Sequence, residues 1–185
     1  MSVNQLRSRV LSVLRTKECL QIRFRIGDVH IERFMYLYLA GAITDNHVQL
    51  TVGDGHNYDD TTNTITYDSD SPDRPTIVHE ATHAVIDGTH KGKIITKGNH
   101  EAAAYLAEAL FSLYSGDDDN VNYSVPHLAP PLFDLARRVQ AFNEQNPSGL
   151  FRCPTGDLME LVAIMSAAPY AGNMSSARTM GGWGD

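Results

Sequence analysis

The stretch Ile77–Gly88, IVHEATHAVIDG, places His79, Glu80 and His83 inside an otherwise apolar run. On a helix, positions i and i+4 lie on the same face, so the two imidazoles point the same way and Glu80 lies one step around. Burying such polar groups is costly unless something pairs with them. The H-E-x-x-H spacing is typical of a helix on which two histidines bind zinc and the glutamate is a general base.

A catalytic zinc site also needs a third protein ligand and an open fourth position. Glu101 follows His83 by eighteen positions, in the first turn of the next predicted helix, and a short loop can fold that helix back against the first. We therefore favour Glu101 as the third ligand. The rival candidates that the spacing leaves open are Asp87, His90 and His100.

The residues HEATH followed by EAAAYLAEAL resemble the gluzincin branch of the zincin metallopeptidases, which pairs H-E-x-x-H with a glutamate on a downstream helix. The resemblance covers about residues 63–110, a minority of the chain. It implies Zn²⁺ as cofactor, with His79, His83 and Glu101 as its ligands. It also implies a hydrolase that cuts a peptide or amide bond with metal-activated water, with Glu80 as the general base.

The same resemblance suggests supporting roles near the metal. The stretch NTITY, residues 63–67, is similar to the zincin edge strand that lies beside the active-site helix and can pair with an extended peptide. Tyr105 stands where an aspartate often supports a ligand histidine in thermolysin-like members, so we assign Tyr105 to core packing and Glu108 to that supporting role. The sequence does not choose among the candidates for an oxyanion donor, which are His100, Tyr105, Tyr123, His127 and Tyr170.

The pattern of apolar residues predicts one α+β domain over residues 1–185, with a loosely held tail from about residue 172. With the resemblance it suggests a zincin-like fold, in which a small, mostly antiparallel or mixed sheet packs on the active-site helix and the glutamate-bearing helix. Strands are predicted over residues 20–26, 48–52 and 63–67. Helices are predicted over residues 4–15, 28–43, 75–87, 130–145 and 155–167. A further helix is predicted to begin after Asn99, which is its expected N-cap.

Composition excludes several classes of function. A net charge of −7 and a pI of about 5.5 argue against binding to nucleic acid or to an anionic membrane.

The N-terminus lacks the apolar core of a signal peptide, so we expect a cytoplasmic protein, or one exported without a cleaved signal. Cys19 and Cys153 form neither a disulfide framework nor a cysteine-type zinc site. The acidic run Asp117–Asp119 lacks the spacing of a calcium loop and is interpreted as solvated.

Three versions of the function follow from the sequence. The first is a bacterial effector or toxin domain that acts on a protein or peptide substrate and is matched by an inhibitor or immunity protein. The second is an intracellular regulatory protease, because the motif rhythm also resembles the ImmA/IrrE-like proteins. The third is a non-catalytic zincin-like module that binds metal or a protein. Glu80 argues against the third, since a purely structural zinc site needs no base.

Overall fold

The computed structural model describes residues 2–68, 71–116, 129–167 and 174–183. Within these residues the chain has six α-helices and three small sheets, which confirms the α+β prediction. The helices are α1 Val3–Leu14, α2 Arg33–Thr44, α3 Arg74–Thr89, α4 Lys97–Ser115, α5 Ala129–Gln145 and α6 Thr155–Ser166. The strands are β1 Phe24–Ile26, β2 Val29–Ile31, β3 Gln49–Val52, β4 Asn57–Asp59, β5 Thr64–Tyr67, β6 Ile94–Thr96 and β7 Ala177–Thr179. No helix in this part of the chain is long and apolar enough to cross a membrane.

The central sheet has three strands in the order β3-β5-β4, with β3 parallel and β4 antiparallel to β5. The stretch NTITY was predicted to be an edge strand, but this prediction is wrong, because NTITY forms β5, which lies in the middle of the sheet. One of the two edge strands is β4, which was not predicted from the sequence. Its residues, Asn57–Asp59, belong to a polar Gly/Asp/Asn-rich segment, and its formation depends on the ladder that β5 offers.

The predicted strand over residues 20–26 is largely wrong. Residues Cys19–Gln21 form a single turn of 3-10 helix, and only Phe24–Ile26 pairs as a strand, β1. A tight turn at Gly27, with φ of +54°, pairs β1 with β2, which was predicted to be part of a helix. Arg23 is buried, and its guanidinium donates to the carbonyls of Asn143, Asn146 and Pro147.

Helices α3 and α4 pack against each other at the centre of the molecule. Asp73 caps α3 by accepting from the backbone N–H of Thr76 at 2.7 Å. Thr96 caps α4 through the N–H of Asn99 at 3.2 Å, so α4 begins before the predicted N-cap, Asn99. Both helices are rich in buried alanine, and small side chains let helix axes approach closely. These alanines are Ala81 and Ala84 on α3 and Ala102, Ala103, Ala104, Ala107 and Ala109 on α4.

The C-terminal segment is packed, where the sequence analysis predicted a loosely held tail. Strand β7 pairs antiparallel with β6, and Trp183 is only 7% exposed. The indole N–H of Trp183 donates to the carbonyl of Ala84 at 3.1 Å. Gly88 lies directly beneath the indole, where a Cβ would stand 2.2 Å from a ring carbon. Gly88 was predicted to end α3, but the helix continues to Thr89, and the glycine instead makes room for the ring.

This packing predicts opposite effects for two alanine substitutions in helices. Gly88→Ala should lower the free energy of unfolding by about 1–3 kcal/mol, because the added methyl overlaps the Trp183 ring. The matched control, Gly41→Ala in α2, meets no atom within 4 Å and should raise that free energy by up to about 1 kcal/mol. Urea unfolding followed by circular dichroism measures both changes. If the indole is the cause, Gly88→Ala becomes harmless in a Trp183→Ala background, and an undiminished loss there contradicts the explanation.

Candidate metal centre

The structure brings His79, His83 and Glu101 together at the contact between α3 and α4. The Nε2 atoms of the two histidines lie 3.2 Å apart. Glu101 Oε2 lies 3.8 Å from the Nε2 of His79 and 3.6 Å from that of His83. Four ligands at zinc distances of about 2.0–2.1 Å in tetrahedral geometry stand about 3.3 Å from one another. The three observed separations are close to that value, so the donor set fits a small divalent cation.

The proton on His79 is fixed by Glu108. Glu108, on α4, accepts a hydrogen bond from His79 Nδ1 at 2.9 Å, so Nε2 is the ring nitrogen that faces Glu101 and His83, where a metal ion would take the place of any proton on it. Burial alone lowers the pKa of His79, but the hydrogen bond and charge of Glu108, with the charges of Glu80 and Glu101, outweigh it and raise the pKa to about 9. The surroundings therefore favour positive charge at this point. The predicted supporting role of Glu108 has the contact that it requires.

His83 is held by a second imidazole. Its Nδ1 lies 2.6 Å from the Nδ1 of His100, and the planes of the two rings are nearly parallel, with an angle of 7° between them. Burial, followed by the neighbouring His100, holds the pKa of His83 well below its usual value. Burial and the charge of Arg178 lower the pKa of His100 to about 3. These shifts favour the neutral form of both imidazoles, and the neutral form is the one in which histidine binds a metal.

Glu80 lies beside this cluster and not within it. It is 5% exposed, and within the described residues its Oε2 has no hydrogen-bond partner. Burial raises its pKa to about 7, with the charge of His79 opposing and those of Glu101 and Glu108 reinforcing that rise. The hydroxyl of Tyr67 is the other buried group near Glu80 that makes no hydrogen bond to the described chain. A buried polar atom without a hydrogen-bond partner usually has a functional role or binds a water molecule.

The cluster opens into a cavity of about 680 Å³, a volume typical of ligand sites. Tyr105 lies on its wall, with its ring centroid 4.5 Å from that of His79, so it contacts the site as well as the core. Strand β4 forms another side through Asn57 and Tyr58. Residues 176–178 of the C-terminal segment line a further side of the cavity.

Arg178 was not predicted as a site residue, because nothing in a C-terminal segment of small and polar residues indicates that β7 folds back onto the site. Arg178 reaches from β7 to Asp60, with Nη1 and Oδ2 2.8 Å apart, and to His100, with Nη2 and Nε2 3.5 Å apart. The available signal was the only tryptophan of the sequence, which follows Arg178 and a glycine pair at a short distance, since a lone indole tends to be buried.

Two of the three rival third ligands, Asp87 and His90, lie away from the cluster, whereas the third, His100, contacts His83 from behind. Asp87 is buried and accepts hydrogen bonds from the Tyr58 hydroxyl and the backbone N–H of Gly181. The Nε2 of His90 lies 3.0 Å from His30 Nδ1, at the far end of α3. Within the described residues, His79, His83 and Glu101 form the one cluster of three metal-ligand side chains. Three candidate oxyanion donors, Tyr123, His127 and Tyr170, and the acidic run 117–119 lie outside the described residues.

Comparison with models of protein families, with curated proteins and with solved structures finds no match for this chain.

The contact between Glu108 and His79 predicts a measurable effect on metal affinity. Glu108→Gln should weaken zinc binding by about 10–100-fold, because the neutral amide no longer fixes the imidazole with its Nε2 free. A competition titration against a chromogenic chelator gives the dissociation constant. The matched control is Glu160→Gln on the exposed side of α6, which should bind zinc as the wild type does. Equal affinity in all three proteins would remove Glu108 from the metal centre.

Proposed function

We propose that this protein is a zinc-dependent hydrolase of a peptide or amide bond, with a zincin-like arrangement of its two central helices. The observation that carries the proposal is the placement of Glu80. Its carboxylate is buried, has an oxygen without a partner in the described chain, and lines the same cavity as His79, His83 and Glu101. A metal-binding site that served only structure would have no use for a buried carboxylate beside it.

His79, His83 and Glu101 would hold the metal. A zinc ion bound there supplies Lewis-acid chemistry, which lowers the pKa of a water molecule and polarises a carbonyl oxygen. A catalytic site of this kind has three protein ligands and an open position, and three side chains converge here among the residues that the structure describes. A structural site would be closed by a fourth protein ligand. This ligand count favours an enzyme over the non-catalytic binding module.

The chain's own residues then perform the proton transfers. Glu80 accepts a proton from the attacking water as the new carbon–oxygen bond forms, and the carbonyl carbon becomes tetrahedral. When the carbon–nitrogen bond breaks, Glu80 returns that proton to the leaving nitrogen, so the products are a carboxylic acid and an amine. Glu80 ends each cycle unchanged. Burial keeps bulk water from competing for its free oxygen.

The cavity suits a peptide segment. Strand β4 is an edge of the central sheet, and two of its residues, Asn57 and Tyr58, line the cavity. An edge strand offers unpaired backbone N–H and C=O groups to an extended chain, and the neighbouring pocket receives a side chain. The substrate is therefore proposed to be a peptide or protein. The roles of effector, toxin or regulatory protease, and an inhibitor or immunity partner, remain predictions from the sequence.

The base role of Glu80 is tested by a conservative substitution. Glu80→Gln should bind zinc as the wild type does but should hydrolyse peptides at least about 100-fold more slowly, because an amide cannot accept the proton. A peptide library incubated with zinc-loaded protein and analysed by mass spectrometry supplies both the cleavage sites and the rates. The same library incubated after chelation should show no cleavage, and added zinc should restore it.

Glu160→Gln again serves as the matched control and should retain wild-type rates. Cleavage by Glu80→Gln at the wild-type rate would exclude Glu80 as the base. Cleavage that survives complete removal of zinc would exclude the metal-dependent mechanism altogether.

A further inference from the structure

Two side chains approach each other on the cavity wall without a role in the proposed reaction. Arg178 comes from β7 and His100 from α4, and both line the cavity that contains Glu80. Arg178 Nη2 lies 3.5 Å from His100 Nε2. Whether this contact is a hydrogen bond depends on which nitrogen of His100 carries the proton, and the neighbouring His83 determines that.

The proton of His83 must lie on Nδ1 when its Nε2 faces the metal. The Nε2 atom points at His79 and Glu101, and a nitrogen that binds a metal carries no proton. His83 therefore donates from Nδ1 to the Nδ1 of His100 across 2.6 Å. His100 accepts that bond only if its own proton is on Nε2. This step rests on the proposed metal centre.

The consequence is that two donors face each other. The Nε2–H of His100 and the Nη2–H of Arg178 are both donors, and neither group can supply an acceptor to the other. An oxygen atom seated against both would satisfy both. Asp60 binds the other end of the guanidinium, with Nη1 and Oδ2 2.8 Å apart, and so keeps Arg178 at this wall. Lys97, the first residue of α4, adds a second cationic group to the lining.

We propose that Arg178 and His100 form a binding site for a carboxylate of the substrate, so that the enzyme prefers peptides with a carboxylate near the scissile bond. A carboxylate accepts from both donors and complements the guanidinium charge, which an uncharged carbonyl does only in part. The carboxylate belongs either to an acidic side chain or to the free C-terminus of the peptide. Arg178 is thus a substrate-binding residue that determines specificity.

Binding to zinc-loaded Glu80→Gln protein tests the proposal without turnover. The probes are two matched pairs of acetylated alanine tetrapeptides, followed by NMR titration. One pair has an internal glutamate or glutamine under a blocked C-terminus, and the other has a free or amidated C-terminus. The acid of at least one pair should bind about tenfold or more tightly than its amide, because a charged hydrogen-bonded pair is worth at least that factor. The pair that shows the preference identifies the source of the carboxylate.

Arg178→Gln should abolish the preference and leave zinc content unchanged, whereas Arg178→Lys should restore part of it. The matched control is Arg137→Gln on the exposed side of α5, which should retain the full preference. Equal binding of acids and amides to the parent protein overturns the proposal, and so does a preference that survives Arg178→Gln.

The proton position is measured independently by ¹⁵N NMR of the histidine side chains in zinc-loaded protein. A proton on Nε2 of His100 is expected, and a proton on its Nδ1 overturns the inference. Zinc content and library cleavage by the wild-type protein assess the proposed function separately. A zinc-loaded, active enzyme without carboxylate preference removes the role of Arg178 and leaves the hydrolase intact.

Discussion

The convergence of three acceptor atoms between two helices is the constraint on which the rest of the structure depends. The Nε2 atoms of His79 and His83 and the Oε2 of Glu101 lie 3.2–3.8 Å apart in a partly buried place. Lone pairs aimed at one another repel, so positive charge at the centre, from a proton or a metal ion, makes the arrangement favourable. Glu108 and His100 fix the two imidazoles in that orientation from behind. The helix pair, its alanine-rich contact and its caps hold the acceptors in place.

The C-terminal segment adds a wall to the cavity beside the helix pair. Trp183 docks on α3 through Ala84 and the space above Gly88, and this places β7 beside β6. Arg178 then faces the site from the side that the helices leave open. The cavity therefore has acidic groups around the proposed metal site, and it has cationic groups on the wall that β7 and the start of α4 form. A cavity with separated charges orients a substrate as well as binding it.

The sequence predicted the centre of the molecule much better than its edges. The helix around His79, Glu80 and His83 and the helix around Glu101 have strong local signals, namely apolar periodicity and alanine content. The existence and approximate bounds of α3 and α4 therefore followed from local pattern, and the spacing on α3 determined that its two histidines share a face. The meeting of Glu101 with these histidines was predicted from the ligand count of a zinc site and from the gluzincin resemblance.

The features that the sequence analysis missed depend on distant partners. Strand β4 is polar and forms only against β5, and β7 forms only against β6. Arg23 is buried because carbonyls more than a hundred residues away accept from its guanidinium. The contact between Arg178 and His100 spans 78 residues. Period and propensity contain no information about such pairings, since they describe neighbours along the chain.

The most direct test of the central claim is the metal content of purified protein after incubation with zinc and removal of the excess. Elemental mass spectrometry of the wild type beside Glu101→Ala reports it. Close to one zinc per wild-type chain and a large loss in the variant are expected, because the variant retains only two of the three converging ligands. Absence of zinc from the wild type, or equal occupancy in both proteins, would contradict the site described here.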